Sequence, residues 1–221
     1  MREKLTLKMI WFSFFLFFVI WSIRGVIVLP YVNSANLNIW SKEIIKASIK
    51  TVIWVTFGGY YIKKYNSVLN ISLVEMFSTK IKWKVLLTCF AAISSYFLFR
   101  LASRSVFQDK VALNLEFHPS QLIGSFLVVG FLEEIIFRGW FLNSLSVCIS
   151  ERKANIVSSI LFTLIHFPGM VINGQNILYL FMFSIPCFSI SLLFGWAFRK
   201  SRSLWTPIIT HMMWNLVTVL L

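Results

Sequence analysis

Long apolar runs, each about the length a helix needs to cross a bilayer and each holding few charges, constrain this chain more than any other feature. Inside hydrocarbon no water is present to satisfy backbone N–H and C=O groups, so the hydrogen bonds must close within helices or within a sealed barrel. A bilayer-spanning helix needs roughly 20 mostly apolar residues. The runs fit helices. Seven are predicted, over about residues 9–29, 44–62, 85–99, 120–149, 154–166, 177–198 and 204–221. The expected fold class is therefore all-α, a polytopic transmembrane helix bundle. Pro168 and Gly169 are expected to end the fifth helix and Pro186 to kink the sixth. The first has a basic start but no small-residue cleavage site after it, and Arg24 interrupts it, which reads as a retained anchor rather than a removed signal peptide.

Composition agrees with lipid as the main solvent: 58% of the 221 residues are apolar, against roughly 45–50% in soluble domains. The net charge of +13 does not indicate nucleic acid, because lysine and arginine sit in short clusters between apolar runs, where anionic headgroups reach them. Those clusters set an expected orientation, since basic residues stay preferentially on the cytoplasmic side. Arg2, Lys4 and Lys8, then Lys63, Lys64, Lys80, Lys82 and Lys84, then Arg152 and Lys153, then Arg199, Lys200 and Arg202 all fall on one side, with the N-terminus inside. Lys42, Lys46, Lys50, Arg100, Arg104 and Lys110 fall on the other side and weaken the contrast. Cys89, Cys148 and Cys187 lie far apart without C-x-x-C spacing, and read as packing residues rather than disulfides or a zinc knuckle.

A charge at bilayer depth costs about 2.5–3.5 kcal/mol on insertion scales, so ionisable residues there are rare and usually functional. Three runs carry them. The fourth holds Glu133, Glu134 and Arg138, the fifth ends on His166, and the seventh holds His211 and Asn215. Residues four apart share a helix face, while neighbours diverge by about 100°. Glu134 is thus spaced to pair with Arg138, leaving Glu133 free, and His211 lies beside Asn215. Taken singly, each has a plain structural reading: a buried ion pair, a helix-end histidine, an interhelical hydrogen bond. Together, a carboxylate, two imidazoles and an amide can activate water and hold an oxyanion. His118, in the connection before the fourth helix, and Arg24, reaching back to the headgroups, are read as bland.

The order E-E-x-x-x-R, F-x-x-x-H, H-x-x-x-N, each on its own apolar helix, resembles the CPBP family of intramembrane proteases, the CAAX protease and bacteriocin-processing, or abortive-infection, family. The resemblance covers residues 120–221 and leaves 1–119 matched only in being hydrophobic. It divides the chain into three N-terminal spans and a core of four helical segments, within one integral membrane domain. Glu133, Glu134 and Arg138 correspond to the first motif, Phe162 and His166 to the second, and His211 and Asn215 to the third. The resemblance implies a peptidase whose substrate is a peptide or protein at the membrane.

From these positions Glu133, helped by His166, is expected to deprotonate water, with His211 and Asn215 holding the oxyanion. Zinc held by Glu133, His166 and His211 is the alternative, and the absence of H-E-x-x-H favours the metal-free form. The runner-up is a non-catalytic membrane factor in bacteriocin self-immunity or envelope scaffolding. A proton-coupled transporter would show inverted repeats, which the sequence lacks. The Lys/Ile/Asn/Phe-rich composition suggests a low-GC bacterium and its cell membrane, where a peptide precursor is a more natural substrate than a prenylated protein.

Overall fold

Thr6 opens the first helix by accepting a hydrogen bond from the Met9 N–H, satisfying one of the donors that a helix N-terminus leaves open. In the computed structural model, which describes residues 5–107 and 128–220, this helix (α1) runs unbroken over Leu7–Ser34. It widens to a π-helical turn at Arg24–Val28, where the Leu29 N–H reaches back to the Arg24 carbonyl. Pro30 follows directly. Its ring would otherwise press on the carbonyl four residues earlier, and the wider turn makes room for it.

Asn38 caps α2 (Ile39–Tyr65) and Ser72 caps the short α3 (Leu73–Ser78), each through its side-chain oxygen. Helix α4 spans Trp83–Phe107. The described part of α5 covers residues 129–148, built as Val129–Glu134, a second π-helical stretch Ile135–Leu142, and Asn143–Cys148. Helices α6 (Glu151–Leu164), α7 (Phe167–Ile172), α8 (Ile177–Ser201) and α9 (Trp205–Leu220) complete the chain. Among the described residues there is no strand. The start of the expected fourth helix, together with His118, Lys110 and the connection around them, lies outside the described residues.

Among the described residues four helical runs are long and apolar enough to cross a membrane: Leu7–Ser34, Trp83–Ser103, Glu151–Ile172 and Ile177–Ser201. Large apolar side chains point outward from them, with Phe12 63%, Phe15 64%, Phe181 62% and Ile177 81% exposed. A water-soluble monomer does not present such a surface, so its covering is lipid. The chain is an integral membrane protein.

The basic clusters gather at one end of the bundle. There the Lys82 Nζ donates to the Lys200 carbonyl (3.0 Å), Arg202 bonds Glu75 and the Asn70 carbonyl, and the Cys148 thiol faces the Leu5 carbonyl. Between the ends, α5 is the central post. Residues Ile136 through Leu142 are all buried, and a helix apolar on every side belongs in a core. Phe137 and Phe141 meet Phe17 of α1, and Phe137 also meets Trp54 of α2. The Trp140 indole N–H finds the Ser13 hydroxyl at 3.1 Å.

One expected break takes a different form. The chain turns at Ile165 and His166 and then resumes as α7, with Pro168 in the first turn, where its missing N–H is not needed. Proline here restarts a helix rather than ending one. Pro186 sits inside α8, which continues through it to Ser201.

Candidate active site

The site is assembled on α5 at the border between its α-helical start and its π-helical stretch. Glu134, fully buried, accepts from the Arg138 Nη1 at 2.9 Å, as their spacing predicts. Arg138 is held on its other side by the Ser191 carbonyl and hydroxyl of α8, both at 2.7 Å, and its guanidinium lies 5.0 Å from the Phe162 ring and 5.2 Å from that of Phe194. The same Glu134 oxygen also meets the His211 Nδ1 at 2.8 Å. Close approach of α5 to α9 makes this possible. Gly130 stands where an added Cβ would lie 3.1 Å from the Met212 Cγ and 3.4 Å from its backbone nitrogen.

Glu133 is not free. Its Oε1 accepts from the Lys50 Nζ of α2 at 2.7 Å, in a pair whose side chains are only 9% and 5% exposed. Pairing by i,i+4 spacing sees contacts within a helix, whereas this one joins residues 83 apart in sequence. The second carboxylate oxygen, Oε2, faces the His211 Nε2 at 3.9 Å. That is too long for a direct hydrogen bond and short enough for one water to bridge.

Both histidines are fixed in the same way. The His166 Nδ1 lies 2.8 Å from the Phe162 carbonyl, which can only accept, so Nδ1 carries a proton. The His211 Nδ1 against the Glu134 carboxylate is likewise the donor. Each ring keeps Nε2 for other work. Phe162, four residues before His166, lies 5.1 Å from that ring and 5.9 Å from His211, and Phe194 stacks on His211 at 4.6 Å.

A cavity of about 380 Å³ opens onto this group, with Lys50, Glu133, His166, Asn215, Arg24 and Trp21 on its walls. At 1.5 Å per residue, Lys50, Glu133 and His166 stand roughly 22 Å along their helices from the basic end. The cavity therefore lies toward the other face of the bundle. Arg24 does not reach back to headgroups as expected. It is 8% exposed, lies over the Trp21 ring at 4.4 Å, and turns into the cavity wall.

All six residues expected at a site are thus placed around one region. Glu133, His166 and Asn215 line the cavity, and His211 stands between Glu133 and the Glu134–Arg138 pair. Sequence reasoning missed Lys50 and misjudged Arg24. The trace of Lys50 was its place among the basic residues that spoiled the charge contrast between the two faces, for a lysine on the wrong side is a candidate for burial. Among the described residues no three histidine, cysteine or acidic side chains form a metal-ligand group, and Cys89, Cys148 and Cys187 are unpaired with one another.

Fold and site together define an integral membrane helical protein with a carboxylate, imidazole and amide group enclosed in its interior. The family model described as Type II CAAX prenyl endopeptidase Rce1-like matches residues 116–217, the stretch that carries all three motifs. The match supports membership of the CPBP/CAAX protease family, whose members are intramembrane endopeptidases. No curated protein and no solved structure matches the chain.

Proposed function

We propose that the protein hydrolyses a peptide bond of a membrane-associated peptide or protein with water activated by Glu133. The observation that carries this reading is the 3.9 Å separation of the Glu133 Oε2 and the His211 Nε2, which one water lying beside both atoms can bridge, at a carboxylate that lines the cavity. A water there donates a proton to Glu133, and its oxygen attacks the scissile carbonyl. With Nδ1–H committed to Glu134, His211 donates from Nε2 only when doubly protonated. In that form it faces the developing oxyanion together with the Asn215 amide. His166, proton on Nδ1, offers Nε2 as the acceptor that passes the water's proton to the leaving nitrogen. The balance is simple: OH ends on the carbonyl carbon and H on the amine.

Zinc does not suit these residues as they stand. The ammonium of Lys50 sits 2.7 Å from the Glu133 oxygen that would have to ligate it. A divalent ion would need to displace that cation, so the mechanism routes no step through metal. Orientation follows from the basic end, which we place in the cytoplasm of a bacterial cell.

A second reading draws on the same lysine. With one carboxylate oxygen already engaged, the cavity can serve as a binding pocket in a non-catalytic immunity or scaffolding factor. Comparative peptidomics of membranes carrying wild type or Glu133→Gln separates the two. Hydrolysis predicts peptides present only with the wild type, at equal protein levels. Identical peptidomes with the biological effect retained in Glu133→Gln would sink the catalytic reading.

A further inference from the structure

Counting the buried charges around the cavity leaves one over. Glu134 is matched by Arg138 and Glu133 by Lys50, each within hydrogen-bond distance. Among the described residues no carboxylate lies within ion-pair distance of Arg24, and the Glu133 charge that acts on it is already held by Lys50. Its guanidinium is anchored by an Nη2 hydrogen bond to the Lys46 carbonyl (3.2 Å) and by the Trp21 face, while its Nε is buried without any hydrogen-bond partner. Trp21 also lies 5.5 Å from the Lys50 ammonium, so one indole ties Arg24 to the wall that holds the Glu133 partner. An unmatched cation and an unsatisfied N–H at membrane depth are both costly, and the protein positions the two together at the cavity.

We propose that Arg24 is the specificity residue for a carboxylate carried by the peptide that enters this cavity. A guanidinium offers parallel N–H donors in the spacing of a carboxylate's two oxygens. Apart from the Lys50–Glu133 pair, His166, Asn215 and Thr218, the wall is apolar or aromatic, with Leu29, Val129, Ile165 and Val219 beside Trp21. The ligand is therefore a hydrophobic peptide bearing one negative charge. That charge is either its free C-terminus or an acidic side chain, the same chemistry from two sources. The inference rests on the peptidase reading for what becomes of the peptide, but not for its binding.

The test separates these. Full-length protein carrying Asn215→Ala, which keeps every cavity charge while slowing turnover, is placed in phosphatidylcholine nanodiscs. It is titrated with a dansylated pentapeptide of leucine and alanine as free acid, as C-terminal amide, and as amide with one internal glutamate. At least one carboxylate peptide is expected to bind about tenfold or more tightly than the uncharged amide, a difference of about 1.4 kcal/mol. Which one it is names the source. Adding Arg24→Gln is expected to reduce the ratio to within about twofold. Equal binding of all three peptides overturns the proposal even if Arg24→Gln fails to fold, and so does a ratio that survives Arg24→Gln. Preference for the carboxylate that disappears in phosphatidylglycerol nanodiscs gives the guanidinium to a lipid phosphate and also overturns it. Because binding is read without hydrolysis, a failure of the peptidase reading alone leaves the ratio intact.

Discussion

Replacing Lys50 by methionine removes a charge but keeps most of the side chain's length, and the result depends on what surrounds Glu133. Exposed ion pairs are worth roughly 0.2–1 kcal/mol, and losing one partner of such a pair is hardly felt. Lys50 and Glu133 are different: at 9% and 5% side-chain exposure they have left water, and at 2.7 Å they compensate each other directly. Losing one partner of a buried pair strands the other and costs about 3–5 kcal/mol. The Lys50 contact with the Trp54 ring at 4.8 Å is lost as well. Because an unfolded chain in micelles also finds polar partners, the lower end, about 3 kcal/mol, is expected. The assay is unfolding by sodium dodecyl sulfate in mixed micelles, followed by tryptophan fluorescence. The decisive comparison is the double variant: Glu133→Gln should return most of what Lys50→Met removes, with a coupling of about 2 kcal/mol or more. A single variant within about 1 kcal/mol of wild type, or additive losses, refutes the pairing argument.

Asn215→Ala should lower kcat by roughly 10²–10³ with unfolding behaviour unchanged, as expected for an oxyanion donor, and full cleavage by the variant would remove it from that role. Gly130→Ala must push Met212 by a few tenths of an ångström and so loosen the Glu134–His211 contact; lower turnover with near-normal stability is expected, and Gly130→Val should be worse on both measures. At the basic end, the hydrogen bond from Arg202 holds the Glu75 carboxyl below the usual carboxylate range. A depressed carboxyl stabilises the fold above its unfolded value of about 4.3 and loses that effect as pH falls through the lower folded value. Arg202→Gln should therefore raise the acid-unfolding midpoint, by a small amount since Glu75 is 36% exposed; an unchanged midpoint in a circular-dichroism titration would show the pair to be idle.

The sequence made some of this legible for clear physical reasons. Helices in lipid are long and apolar, so their existence was readable, and Glu134 with Arg138 was readable because an i,i+4 pair is a local property. The contact of Glu133 with Lys50 was not, since nothing short-range links the second helix to the fifth. Arg24 was misjudged because an arginine near the end of an apolar run has two outcomes, headgroup or interior, and only tertiary packing chooses. The turn at Ile165 and His166 shows the same limit: Pro168 marked a discontinuity, but not that a second helix begins there.

The π-helical stretch of α5, Ile135–Leu142, bears on how this chain tolerates change. Each π turn holds an additional residue within its hydrogen-bonded ring, which makes it equivalent to an insertion that the fold has kept. Deleting one residue there would let the ordinary i→i+4 ladder close at little local cost. The ladder with one residue fewer would span nearly the same rotation, so everything after it would keep close to its present orientation relative to Glu133 and Glu134. Asn143, which clasps both the N–H and the carbonyl of Ile71, would keep facing its loop, whereas a deletion in the α-helical turn just after the π stretch would swing the residues beyond it by about 100°. A one-residue deletion inside the π stretch should therefore be tolerated better than the same deletion in the regular α-helical turns on either side of it.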